Sequence, residues 1–202
     1  MRKKCRGFTI VELLVVIFIT GVLVTLVIAD FRKGKKRDDL NLGARTLAES
    51  LNKIHNLAMT GKIEGDVPNQ TPTGGYGLYF DFSDLDHYLI FGDGGDNPNH
   101  FYESTIDDFL IEEEQINLPV GVAIESVCYG DPETCYSGEL SIVYYPLQRQ
   151  PYVTVDNTCT DPCLELGTGT VFHLQHQDIN NMQIDVILNG LTGQVEVINN
   201  SN

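Results

Sequence analysis

Positive charge is what this sequence has least of. Its 202 residues hold 13 Lys and Arg against 28 Asp and Glu, a formal net charge of −15. Four of the basic residues, Arg2, Lys3, Lys4 and Arg6, crowd into the first six positions, where no acid stands. Beyond Gly7 nine basic residues face 28 acidic ones, so the remainder carries a net charge of −19. Such a surface argues against non-specific nucleic-acid binding, which needs Lys and Arg on phosphates. It suits solubility outside a cell, with cations as minor partners. Catalytic signatures are missing as well: there is no nucleophile elbow, phosphate-binding loop or zincin motif. The expectation is a non-enzymatic protein without an obligatory cofactor.

Cysteine is sparse and comes late. Cys5 lies in the basic stub, and the other four are Cys128, Cys135, Cys159 and Cys163. An even count in an exported domain favours two disulfides. Local pairing, Cys128 with Cys135 and Cys159 with Cys163, is the simplest of three connectivities, and all three stay open. A zinc cluster is the other reading, although neither spacing is the tight Cys-x2-Cys of structural zinc sites.

Apolar sequence, by contrast, is concentrated in one long run. Phe8 to Ala29 is 22 residues, and about 20 apolar residues in a helix cross a bilayer core. A single Gly7 separates this run from the basic stub, and one carboxylate, Glu12, sits inside it near its start. A carboxylate in hydrocarbon costs about 2.5–3.5 kcal/mol or more, so it is usually paired or functional. A plain anchor has no use for it. Ile28-Ala29-Asp30 is a poor match to the small-residue site that ends a secretory signal.

Around Gly7 the sequence closely resembles the type III signal of type IV pilins and type II secretion pseudopilins. The family pattern is a basic leader ending in Gly, then Phe-Thr and two hydrophobic residues before a Glu that opens a long apolar helix. Gly7, Phe8, Thr9, Ile10, Val11, Glu12 and Leu13 fill every place. The resemblance implies cleavage between Gly7 and Phe8 by a prepilin peptidase and N-methylation of Phe8. It implies that Glu12 neutralises the amino terminus of a neighbouring subunit, in keeping with a desolvated carboxylate's need for a cation. Other pilin or pseudopilin subunits, an inner-membrane assembly platform and membrane lipid are the implied partners. The N-terminus would lie in the cytoplasm, and the later domain would be extracytoplasmic, in the periplasm or on a cell-surface filament.

Charge alone does not orient the span, because Arg32, Lys33, Lys35, Lys36 and Arg37 follow it and nearly balance the leader. Anchoring at the membrane interface is the simplest reading of this cluster. Contacts to acidic neighbours in a filament, or to nucleic acid, are the alternatives. From Leu40 the apolar positions Leu40, Ala44, Leu47, Leu51, Ile54 and Ala58 recur every three or four residues, one face of an amphipathic helix. Met59-Thr60-Gly61 supplies a C-cap. The expected organisation is a leader, 1–7; one long helix, 8–60, with 8–29 in the membrane; and a β-rich domain, 61–202. Gly34 and the polar stretch 30–39 could bend or interrupt the helix.

After a Gly, Pro, Asn and Thr-rich loop over 62–75 the helical period gives way to short β-branched and aromatic runs. Strands are expected near 76–82, 88–91, 120–127, 140–145, 152–155, 171–174, 184–188 and 195–198. The last two flank Asn189-Gly190-Leu191-Thr192-Gly193, a hairpin signal. The fold class is α+β, with a mostly antiparallel sheet packed on the helix or folded into a sandwich. This order resembles the H-type minor pseudopilins and FimT-like minor pilins. The supporting residues are Ala44-Arg45-Thr46-Leu47-Ala48, Gly75-Tyr76-Gly77-Leu78-Tyr79-Phe80 and Leu191-Thr192-Gly193-Gln194-Val195-Glu196-Val197. Two departures stand out: Asn199-Asn200-Ser201-Asn202 is neutral, unlike the basic DNA-binding C-terminal segment of some FimT-like proteins, and the cysteine-bearing inserts are unusual.

Three further clusters need a reading. Asp93-Gly94-Gly95-Asp96-Asn97-Pro98-Asn99 is an ordinary polar turn in its simplest form. As a Ca²⁺ loop it would offer the oxygens of Asp93, Asp96, Asn97 and Asn99, without the spacing or terminal Glu of an EF-hand. The acidic stretch 103–115 reads as a solvated loop or short helix, or else as a docking surface for a basic partner. Its paired carboxylates come without a nucleophile or a pocket signal, so acid–base chemistry is not indicated. His173 and His176 would point to opposite faces of a strand and share no metal. The function class competing with a filament subunit is a membrane-anchored module that recognises an extracellular ligand and never assembles.

Overall fold

The computed structural model describes residues 9–61, 72–94, 99–103, 108–111, 115–129, 134–136, 138–155, 164–165 and 169–200. One helix, α1 (Ile10–Thr60), is followed by β1 (Gly75–Asp81), β2 (His87–Asp93), β3 (Phe109–Leu110), β4 (Ile116–Asn117), β5 (Val122–Tyr129) and β6 (Thr134–Tyr136). Then come β7 (Glu139–Tyr144), β8 (Pro151–Val155), β9 (Leu164–Glu165), β10 (Thr170–His176), β11 (Ile179–Leu188) and β12 (Val195–Asn199). The chain divides into two compact units, Met1–Asp38 and Asp39–Asn202, and α1 contributes to both. It passes Gly34 and the charged stretch around it without interruption, as one continuous helix.

In the first unit every apolar side chain whose surroundings are described is exposed. Ile10 is 85% exposed and Phe31 77%. The helix is long and apolar enough to cross a membrane, and none of its most apolar 18-residue window is buried. Its hydroxyls need no outside partner. Thr20 donates to the Val16 and Ile17 carbonyls at 3.0 Å, and Thr25 to Val22 at 2.7 Å. Internal satisfaction of this kind is what hydrocarbon demands of polar groups.

In the second unit the last turns of α1 join two antiparallel sheets. All six residues of the expected apolar stripe, Leu40, Ala44, Leu47, Leu51, Ile54 and Ala58, are at most 1% exposed. They share one core cluster with Tyr76, Leu78, Ile90 and Ile142 of one sheet and Ile124, Phe172, Leu174 and Val186 of the other. Gly61, at φ 61°, ends the helix in the left-handed conformation and donates to the Leu57 carbonyl at 3.0 Å. A buried hydrogen bond of 2.8 Å between the Ser50 and Tyr88 hydroxyls fixes helix against sheet.

The larger sheet runs β3-β2-β1-β7-β8-β9, with β4 also paired to β2; the smaller runs β12-β11-β10-β5-β6. Every pairing among the described strands is antiparallel, and β11 and β12 form the expected hairpin, Leu188 opposite Val195. All eight expected strands are present. The additional strands β3, β4, β6 and β9 are only two or three residues long. Each is held by a neighbour rather than by a periodic pattern of its own.

The larger sheet is covered on its outer face too. Phe91, Phe101 and Phe109 are buried there, and Tyr102 donates its backbone N–H to the Ser141 hydroxyl at 3.2 Å. Tyr79 stands edge-on to Phe101 at 5.7 Å, and Tyr102 lies 5.3 Å from Phe91. Described residues between β2 and β4 thus build a second, aromatic layer.

Candidate functional site

The start of α1 is a capped helix terminus. Thr9 precedes the first helical residue, and its Oγ1 accepts the backbone N–H of Glu12 at 3.2 Å, while its carbonyl receives Leu13 N–H at 3.2 Å. Thr-x-x-Glu is the spacing of a capping box. The Glu12 carboxylate falls in the first turn, where the helix dipole favours a negative charge. Thr9 was legible as a motif residue, but its capping role was missed, although Thr followed by Glu three residues on is the signal for it. Gly7 and Phe8 lie outside the described residues. Glu12 is the sole charged residue between Ile10 and Ile28, on a helix whose flanking apolar side chains are all exposed. A charge in such surroundings can be compensated by a cation brought by another molecule.

Among the described residues, the other candidates do not converge on a chemical site. Cys128 and Cys135 form a disulfide that joins β5 to β6 across the register. Cys159 and Cys163 lie outside the described residues. Asp93 is 1% exposed, and its carboxylate accepts the His100 N–H at 2.8 Å. Asn99 accepts Phe101 N–H at 3.1 Å and donates to Glu103 at 3.0 Å. These side chains hold backbone in place, while Asp96 and Asn97 lie outside the described residues. In the acidic stretch, Asp108 accepts N–H groups from Gly94 and Glu103. Glu112, Glu113 and Glu114 lie outside the described residues.

His173 and His176 fall on opposite faces of β10, His176 buried and His173 partly exposed. His173 Nδ1 lies 2.7 Å from Asp185 Oδ1, in a polar group completed by Gln183 and Asn200. Asp84, Asp86 and His87, at the turn between β1 and β2, bring their ligand atoms within 4.8 Å of one another. Both aspartates there are well exposed, and hydrogen bonding to His87 holds Asp86 below the usual carboxylate range. An open groove of about 580 Å³ is lined by the polar side chains of Asn52, Asn189, Gln194 and Glu196 and offers no nucleophile.

Among the described residues, the N-terminal helix is therefore the element whose sequence and geometry demand a partner. Residues 2–28 match the family model of the prokaryotic N-terminal methylation motif. No curated protein and no solved structure matches the chain. The family match supports a prepilin-type subunit of the pilin or pseudopilin kind; the motif implies processing by a prepilin peptidase and assembly with other pilin subunits.

Proposed function

We propose that this chain is a structural subunit of a type IV pilus or type II secretion filament, of the H-type or FimT-like minor class. It is cleaved after Gly7, methylated on Phe8, held in the membrane by the first half of α1 and then assembled through that same helix. The observation that carries this reading is the methylation motif on a capped helix whose apolar side chains, among the described residues before Asp38, are all exposed. Exposed apolar surface on that scale needs lipid or neighbouring helices. The two-sheet domain on the second half of α1 supports the subgroup. Glu12 supplies register, its charge offset by the amino terminus of the adjoining subunit.

Mass spectrometry of membrane and sheared-filament fractions tests the reading. It expects an N-methylated Phe8 terminus in filaments, at a small ratio to another pilin. An intact Met1 terminus found in membranes alone would overturn it and favour an anchored binding module. Glu12→Ala is expected to insert and be cleaved normally. Its filament incorporation should fall at least about tenfold, because leaving one member of a buried ion pair unpaired costs about 3–5 kcal/mol. Normal incorporation would remove Glu12 from the mechanism.

A further inference from the structure

The turn between β11 and β12 carries Asn189-Gly190, an exposed amide followed by a residue with no side chain. Asn189 N–H donates to the Gln194 carbonyl at 2.8 Å, and Gly193 N–H to the Asn189 carbonyl at 2.8 Å. Gln194 N–H donates to the Thr192 hydroxyl at 3.3 Å. The N–H groups of Leu191 and Thr192 both donate to Asn189 Oδ1, each at 3.0 Å. Among the described residues of this turn, Gly190 alone has a backbone N–H that donates to nothing, although Gly190 is buried. Buried N–H groups are paired in the great majority of cases, so an orphan calls for a cause.

The same contacts supply one. With Oδ1 held by the N–H groups two and three residues on, the Asn189 side chain is folded forward over the Gly190 peptide. Attack of the uncommitted Gly190 nitrogen on Asn189 Cγ moves negative charge onto Oδ1. Two donors at 3.0 Å already stand where that oxyanion needs them. Both reacting groups belong to one turn, so the step is intramolecular. Gly190 has no Cβ to resist the backbone rotation that closes a five-membered ring. We propose that Asn189 is a self-modification site, converted to isoaspartate and aspartate through a succinimide formed with Gly190. Solvent base takes the Gly190 N–H proton, and the nitrogen bonds to Cγ. The Cγ–Nδ2 bond then breaks, and Nδ2 leaves as ammonia with a proton from water. Water opens the ring at either carbonyl, giving aspartate or an isoaspartate whose main chain runs through Cγ. The net change is hydrolysis of one amide. Asn189 lines the polar groove with Asn52, Gln194 and Glu196, so the new carboxylate joins an existing one there. It also adds to a domain in which, from Asp39 onward, 25 acidic residues face four basic ones, a net charge of −21. The isoaspartyl form lengthens the turn, so Gly193, packed against the Arg149 carbonyl and His55, has to shift. The groove thus carries a one-way chemical record of the chain's age, independent of the filament reading.

The test incubates the folded full-length chain in mildly alkaline buffer made with H₂¹⁸O, beside a synthetic peptide of residues 185–202. Cleavage before Asp185 releases the same segment from the chain. Electron-transfer fragmentation then assigns label and isoaspartate to Asn189, Asn199 or Asn200. Label is expected first at Asn189, as a mixture of isoaspartate and aspartate, at a rate at least equal to the peptide's. Gly190→Ala should slow it several-fold while near-UV circular dichroism stays unchanged. A folded chain that reacts more slowly than the peptide would overturn the proposal, because the turn would then protect the amide. So would aspartate formed without isoaspartate, the mark of direct hydrolysis, or an unchanged rate in the Gly190→Ala chain. The comparison of chain with peptide decides the matter even where Gly190→Ala disturbs the fold.

Discussion

Asp108 shows how one side chain holds the segment after β2 against the sheet. Its carboxylate accepts N–H groups from both Glu103, at 2.6 Å, and Gly94, at 3.3 Å. Burial pushes its pKa up to about 6, against the pull of the Glu103 N–H and with the charges of Asp93 and Glu103 adding to the push. The folded state thus binds the Asp108 proton more tightly than the unfolded chain, whose carboxylate titrates near 3.8. Above about pH 6 the folded state carries a charge it disfavours, and stability rises as pH falls from about 6 towards 4. Asp108→Asn should flatten that part of the curve. Urea midpoints of the two proteins should therefore diverge at pH 5 relative to pH 7, with the wild type gaining; parallel curves would exclude Asp108 as the source. At Gly77 the constraint is space. An added Cβ would stand 2.7 Å from the Phe91 ring and 2.9 Å from the Ile142 carbonyl oxygen. Gly77→Ala should cost about 1–3 kcal/mol in urea unfolding, the usual scale of an overpacked core.

At the scale of elements, α1 is one helix with two solvents. Its second half reads in the sequence as a strict apolar stripe, and every member of that stripe is buried. Leu51→Ala should therefore cost about 2–5 kcal/mol, read as a lower urea midpoint at unchanged slope. A cost under about 0.5 kcal/mol, the scale of a surface substitution, would mean that the stripe does not carry the core. The eight longer strands were legible for a different reason, as runs of β-branched and aromatic residues bounded by Gly, Pro, Asn and Asp. The two-residue strands β3 and β4 were not. Phe109-Leu110 and Ile116-Asn117 lie at the edges of an acidic run, and two residues show no period. Sequence alone also hid the aromatic layer outside the larger sheet. Phe101 and Phe109 had no periodic partners nearby: Phe101 is buried against Tyr79, and the Phe109 ring lies over Gly92 across the β2–β3 pairing. Of the candidate site, Glu12 was legible through its cost in an apolar run. The turn at Asp84–Asp86 was not, because the approach of its side chains depends on how the chain reverses there.

On the scale of the whole molecule, the boundary at Asp38–Asp39 separates two kinds of stability. Leu40 is the first residue of the buried core, and none of the described residues before it is part of the core cluster. The domain has its own helix turns, both sheets and the Cys128–Cys135 disulfide. Its 164 residues are an ordinary size for a core that folds alone. Residues 39–202 expressed without the apolar half of α1 should therefore fold, and should unfold in urea in one cooperative transition. Their net charge of −21 makes a second demand, because self-repulsion opposes the compact state. Raising NaCl from ~0.1 M to ~1 M shortens the screening length from about 10 Å to about 3 Å and should raise the urea midpoint. A fragment lacking near-UV circular dichroism would show that the first unit is needed for folding, and the helix would then be more than an anchor and assembly element. A folded fragment whose midpoint ignores salt would show that the acidic charges are spread too widely to repel.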